Sequence, residues 1–356
     1  MGDEEKSAVM AVLDSGQLAQ GPIVESFERE FASWCGAKHA IAVNSGTAAL
    51  HLLMLAHGIG EGDEVITSPF TFVASANAAL FVGARPVFVD IEPQTYCLDP
   101  EKVEAAITPK TKAIMPVDLY GHAAQIPELL EIAKRHGVAL LEDACQAHGA
   151  AIGNRKAGGF GIDATFSFYP TKNMTTAEGG MVTTDDDNIA EKVTVLRQHG
   201  ATHRYQHDVL GYNFRMTDIC AAIGRAQLAK LDRFNETRRR NASHLDEGLA
   251  GTPGVVLPRE RKGYRHVYHQ YTIRVDGDRD RFQQKLREAG IGTAVHYPIP
   301  VHRQPLYQTL GYREVSLPVS EDAAEHVISL PVHPALSESD LDRIVEAVKK
   351  TAQSST

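Results

Sequence analysis

Seven short apolar segments follow one another between residues 40 and 184: AIAV (40–43), EVIT (64–67), PVFV (86–89), KAIMPV (112–117), VALLE (138–142), ATFSF (164–168) and GMVTT (180–184). Helical stretches such as TAALHLLMLAHG and IPELLEIAKRHG lie between them. Apolar strands that alternate with helices predict an α/β chain with a mostly parallel sheet, covered on both faces. Two helices precede the sheet. One spans about Glu4 to Leu13, and the other starts at Pro22 with Ile23, Phe27, Phe31 and Trp34 at helical spacing. A long helical pattern from Arg215 to Leu249 is polar on one face and predicts a bridge to a second unit. Beyond GTPGV, a strand (269–275), the helix RDRFQQKLREAG and a last helix, ESDLDRIVEAVKK, predict a smaller α+β domain. The expected division is a large domain over 1–249 and a small one over 250–356.

Composition excludes several classes. A net charge of −9 argues against a nucleic-acid footprint or a polybasic membrane patch. No run approaches the 18 or so apolar residues of a membrane helix. The start, MGDEEKSAVM, has no basic or apolar leader pattern. Four cysteines without CxxC spacing read as free thiols in a reducing cytoplasm.

In an open parallel sheet, ligands bind beyond the carboxyl ends of the strands. Those positions here carry Asn44-Ser45-Gly46-Thr47, then Ser68-Pro69-Phe70-Thr71-Phe72, Asp118, Asp143, and Ser167-Phe168-Tyr169-Pro170-Thr171-Lys172. The Ser-Gly-Thr turn between a strand and a helix suits a phosphate, and equally a simple helix cap. There is no GxGxxG after the first strand and no GxxxxGK[ST], so the dinucleotide and P-loop readings fail. Lys172 on such a rim is an amine able to form a Schiff base. Asp143 either caps the next turn or holds a ring nitrogen protonated. A lysine, an aspartate, a phosphate turn and a flat aromatic on one rim together suit pyridoxal phosphate (PLP). His266-x-x-His269 has metal-like spacing without acidic or cysteine companions, so no metal is expected. Arg238-Arg239-Arg240 reads as a solvated helix face.

The segments NSGTAAL, GDEVITSPFTFVASANA, ALLEDACQAHGA, ATFSFYPTKNMTTAEGGMVTTDD, GYNFRMTDICAAIGRAQLAKL and IGTAVHYPIPVHRQPLY resemble the DegT/StrS family. These are PLP-dependent nucleotide-sugar aminotransferases of aspartate-aminotransferase fold type I. The resemblance implies that Lys172 carries PLP and that Asp143 partners its ring nitrogen. It implies Phe72 against the ring, Gly46, Thr47 and Ser167 on the phosphate, and Gln146 near the phenolic oxygen. Asn213, flanked by Tyr212 and Arg215, is implied to reach the phosphate of a partner subunit, which makes a homodimer with shared active sites. His296, Tyr297 and His302 are implied to line the substrate mouth. Position 172 is lysine, not the histidine of the family's deoxysugar dehydratase branch. The implied reaction moves an amino group from an amino acid, glutamate being favoured, to a nucleotide-linked keto-deoxysugar. The compact TKNMTTAEGG turn favours amination at C4. A keto-cyclitol acceptor is the alternative within the family, and a non-catalytic regulator on the same fold is the alternative outside it.

Overall fold

The computed structural model describes residues 1–354. Helices α1 (Asp3–Ser15) and α2 (Pro22–Cys35) lead into β1 (His39–Val43), α3 (Gly46–Ala56), β2 (Glu64–Thr67), α4 (Ala74–Phe81) and β3 (Arg85–Phe88). Then come α5 (Pro100–Ala106), β4 (Thr111–Met115), α6 (Ile126–His136), β5 (Ala139–Asp143) and the short ribbon β6 (Ala151–Ile152) and β7 (Arg155–Lys156). β8 (Asp163–Ser167), β9 (Gly180–Thr184) and α7 (Asp187–Arg197) follow. The large sheet has the order β1-β9-β8-β5-β4-β2-β3. Neighbours from β8 to β3 are parallel, and β9 alone runs against the rest. One face packs on α2 and α6 and the other on α3, α4 and α7, as a sheet of all-apolar strands requires. The predicted strand 112–117 stops at Met115, because Pro116 has no N–H to give a ladder.

Among the described residues no helix is long and apolar enough to cross a membrane. A hairpin, β10 (Ala201–His203) and β11 (Gln206–His207), precedes α8 (Asp218–Leu249). The predicted start of α8 at Arg215 moves to Asp218, because the Thr217 hydroxyl caps the helix on the Cys220 N–H. The Asp218 carboxylate then accepts hydrogen bonds from the N–H groups of Gly21 and Val24, which fixes α2 against α8. Arg238 corrects the expectation of a solvated arginine face. It is buried, and its guanidinium donates to the carbonyls of Tyr268 and His269, while Arg240 stays exposed.

The last part of the chain holds β12 (Val255–Val256), β13 (Tyr264–Arg265), β14 (Tyr271–Val275), α9 (Arg279–Glu288), α10 (Pro305–Thr309), α11 (Pro318–His326), β15 (Val327–Leu330) and α12 (Glu338–Gln353). A second core forms where β14, β15, α9 and α12 meet the end of α8 at Ala242, Leu245 and Leu249. The packing does not divide cleanly at residue 250. β13 pairs with β6, Val267, Ala323, Ala324 and Val327 belong to the core of the large sheet, and Val301, Tyr307 and Tyr312 pack on Phe88.

Phe31 sits inside an aromatic cluster that joins α2 to β8, with its ring 5.0 Å from Phe166 and 5.5 Å from Phe168. The ring is fully buried. Phe31→Ala is expected to lower unfolding free energy by about 3–5 kcal/mol, read from urea midpoints with an unchanged m-value.

Candidate active site

β1, β2, β5 and β8 point the same way, so their carboxyl ends share one rim. β9 runs back from that rim. The segment that leaves β8 at Ser167 must therefore return to Gly180 on the same side, and it brings Lys172 with it. Close approach is built into the turn before α3. A Cβ on Gly46 would stand 2.7 Å from the Ser167 Cβ, so glycine is needed for α3 and β8 to meet. Ser45 caps α3 by accepting from the Ala48 N–H at 3.1 Å. The Gly46 and Thr47 N–H groups then belong to the helix end that has no intrahelical acceptor, a natural seat for an anion.

These elements enclose a cleft of about 550 Å³. Gly46, Thr47 and Ser167 line it together with Asp143, Gln146 and Lys172. Phe72, His296 and Tyr297 line it as well. Phe72 is 56% exposed and its ring centroid lies 6.3 Å from that of Tyr297, which leaves an aromatic face open to a planar group. Asp143 is buried and accepts from the Ser75 hydroxyl at 2.7 Å and from the Cys145 N–H at 3.2 Å. Ser75 is itself hydrogen-bonded to Thr71 at 2.9 Å. Gln146 accepts from the Tyr120 N–H at 3.0 Å and donates to the Tyr297 hydroxyl at 3.1 Å, so its amide orientation is fixed at both ends.

Lys172 lines the cleft half-buried. Burial pushes its ammonium below the ordinary lysine range, opposed by the neighbouring Asp143 carboxylate. Three histidines feel its charge. Burial, followed by the lysine charge, lowers His148 to about 3 and His269 far below its usual value. His296 is lowered for the same two reasons, and its Nδ1 lies 3.0 Å from the Ser329 hydroxyl. Burial thus disfavours the charged form of all three rings and of the lysine alike.

Two predicted site residues lie elsewhere. His302 is fully buried beneath α11, with its Nε2 2.9 Å from the Glu321 carboxylate and its ring against Phe88. This corrects the expectation of a substrate contact: the histidine anchors the segment that carries the cleft wall. Asn213 lies outside the cleft of its own chain, on the surface, where its Oδ1 accepts from Arg215. Ser75 escaped the sequence reading, Thr71 was seen only as part of the rim, and His269 was read only for its metal-like spacing. Thr71 and Ser75 stand at the i, i+4 spacing of a helix start, and that was the available signal.

Behind Asp143 lie two more buried carboxyl groups, Asp118 and Glu142. Asp118 accepts from the Ala124 N–H at 2.8 Å and Glu142 from the Gly158 N–H at 3.0 Å. The remaining oxygen of each, Oδ2 of Asp118 and Oε1 of Glu142, meets no N–H or O–H donor. The negative charge of Glu142 bears on Asp118, and one proton held by the pair would relieve the repulsion. Burial raises both above the ordinary carboxyl range, and the neighbouring negative charges add to the shift.

A rim lysine, a buried aspartate, an anion seat at a helix start and an open aromatic face fit PLP in both shape and donor chemistry. The fold and the site define a PLP-dependent aminotransferase of fold type I. The chain belongs to the DegT/DnrJ/EryC1/StrS aminotransferase family, whose family model matches residues 1–349. It is 43% identical to the dTDP-3-amino-3,4,6-trideoxy-alpha-D-glucose transaminase of Streptomyces venezuelae, covering 98% of this chain and 92% of that one. It is 45% identical to a protein of Geobacillus stearothermophilus named pleiotropic regulatory protein, covering 97% and 95%. Among solved structures, the crystal structure of S. venezuelae DesV in complex with ketimine intermediate superposes with a TM-score of 0.96 at 43% identity, covering 99% and 95%.

Loaded with PLP, the protein is expected to be yellow, and borohydride is expected to fix the cofactor to the peptide that contains Lys172. Lys172→Ala should lose turnover altogether while keeping the fold, and Asp143→Asn should lose at least about 100-fold in kcat. Steady-state assays and circular dichroism check both.

A second expectation concerns pH. The folded pKa values of Asp118 and Glu142 lie above their unfolded ones, so the pair's contribution to stability is complete in acid. It fades as pH rises from the ordinary carboxyl range, about 4, through the raised values. The urea midpoint of the PLP-free protein should decline as pH rises from about 4 through about 7. Asp118→Asn, whose amide supplies a permanent N–H, should flatten that decline. An equal slope in the variant would refute the shared proton.

Proposed function

We propose that this chain transfers the amino group of an amino acid, glutamate being favoured, to a nucleotide-linked keto-deoxysugar. The observation that carries the reading is the intact pairing of Lys172 and Asp143 across one cleft, in a chain whose nearly full-length relative is named a nucleotide-sugar transaminase. PLP, when bound, supplies the electron sink for losing the proton at the carbon that bears the amine. Lys172 would hold the cofactor and, as a free amine, would take up and return the proton at the donor Cα. Asp143, steadied by Ser75 and the Cys145 N–H, would partner the ring nitrogen. Gly46, Thr47 and Ser167 would hold the phosphate, Gln146 would serve the phenolic oxygen, and Phe72 would cover the ring. His296 and Tyr297 would meet the substrate.

The compact segment between Lys172 and Gly180 supports amination at C4. The Streptomyces venezuelae relative, whose name specifies a 3-amino sugar, supports C3 as a second reading. The pleiotropic regulatory relative supports a regulator, but the complete Lys172–Asp143 pair favours catalysis. Nucleotide 4-keto and 3-keto sugars, a keto-cyclitol and free keto acids, each with glutamate, separate these readings by mass shift. Amination of the 4-keto sugar is the expected outcome. Turnover of the cyclitol alone would overturn the substrate class, and preference for the 3-keto isomer would overturn the position only.

The active unit is proposed to be a homodimer in the cytoplasm. Exposed Asn213 next to Arg215 and the protruding Tyr205 and Leu210 support contact with a second copy, and the free thiols support a reducing compartment. Mixing inactive Lys172→Ala chains with weak Asn213→Asp chains is expected to restore activity, because one site of each mixed dimer carries neither change. Analytical ultracentrifugation that finds a fully active monomer would exclude the shared site.

A further inference from the structure

One buried amide on α8 touches both segments that carry the paired residues of the cleft. Asn173, next to Lys172, donates from Nδ2 to the Asn235 Oδ1 at 2.8 Å and to the Val267 carbonyl at 3.1 Å. The Nδ2 of Asn235 donates to the His148 carbonyl at 2.7 Å. His148 lies on the loop that leaves Asp143 and passes through Gln146. All three residues are buried, with Asn235 at 1% exposure. The fit is close on the far side as well, since a Cβ on Gly149 would stand 2.7 Å from the Asn235 Nδ2. Asn235 therefore reads one acceptor and one donor in a fixed orientation, and each belongs to a different strand end. Arg238, one turn further along α8, holds the carbonyls of Tyr268 and His269 beyond Val267.

We propose that Asn235 is a positioning residue for the aminotransferase reaction: its amide sets the separation of Lys172 from Asp143 by tying Asn173 to His148. A buried amide in this role acts by geometry. Its loss lets the lysine turn and the aspartate loop relax independently, and misplacement of a reacting amine by about 1 Å costs up to roughly 100-fold in rate. The proposal rests on Lys172 carrying PLP and is independent of which acceptor the enzyme uses.

The test needs a control for ordinary loss of stability, and α8 supplies one. Asn241 is an equally buried amide on the same helix, but it donates to the carbonyls of Val332 and His333, away from the cleft. Asn235→Ala and Asn241→Ala are compared in the PLP-loaded full-length protein for thermal midpoint, for the pH midpoint of the visible absorption band without substrate, and for kcat and KM in the amino-donor half-reaction. Both variants are expected to lose thermal stability. Asn235→Ala alone is expected to move the band's pH midpoint by about one unit, a tenfold change in the proton equilibrium, and to lower kcat roughly 10- to 100-fold with little change in KM. Asn173→Ala should reproduce the shift, and the double variant should add nothing further. It also serves as the readout if Asn235→Ala does not fold. A band midpoint and kcat unchanged in both single variants, at any loss of stability, would overturn the proposal. So would an equal shift in Asn241→Ala.

Discussion

Asp143 occupies a buried position at the end of β5 because two donors converge on it, the Ser75 hydroxyl from the start of α4 and the Cys145 N–H from its own loop. A buried carboxylate without such partners would be costly, and with them it becomes a fixed acceptor aimed into the cleft. The rest of the site is arranged around that point. β5 lies in the middle of the large sheet, flanked by β8 and β4, so the groups at the ends of β1, β2 and β8 are placed relative to Asp143 by the sheet's register. The reversal of β9 then brings Lys172 back to the same rim.

The second structural theme is the long helix α8. It begins under α2, where Asp218 caps that helix, and ends in the smaller core at Leu249. Between these ends it presents buried polar side chains inward: Asn235 to the lysine and aspartate segments, Arg238 to the carbonyls of residues 268 and 269, and Asn241 to those of residues 332 and 333. Each satisfies backbone groups of irregular segments that have no ladder partner of their own. The arginine carries a charge into this position without a carboxylate partner. That arrangement is understandable only because two carbonyl dipoles receive it.

Much of this was legible in the residues. The apolar runs fixed the strand positions to within a residue or two, since strands buried on both faces have no polar positions to blur them. Lys172, Asp143, Ser167 and the Gly46 turn were found from one rule, that chemistry gathers beyond strand ends. What stayed hidden depended on packing between distant segments. His302 reads as a mouth residue beside Tyr297, yet the chain turns at Pro300 and buries it against Glu321. Arg238 sits in a run of three arginines, and only the path of residues 264–270 across α8 decides which of them is covered. Ser75 lies in an alanine-rich helix start, where its spacing from Thr71 is the one local hint and does not reveal that its hydroxyl meets Asp143. Helix and strand signals likewise do not report which core a later segment joins, so the packing of residues 267, 323, 324 and 327 on the large sheet could not be read from them.

The return of residues 323, 324 and 327 to the core of the large sheet bears on how the protein is made. Synthesis proceeds from the N-terminus, and the seven strands of that sheet leave the ribosome long before the segment that covers one of its faces. Until almost the whole chain has emerged, an apolar surface bordered by α2 and α6 stays open to other nascent chains. The sheet can collapse early, but its final closure waits for α11 and β15. The enzyme's vulnerable interval is thus set by the order of its sequence, and a slow or interrupted end to translation exposes the same core that the finished molecule hides.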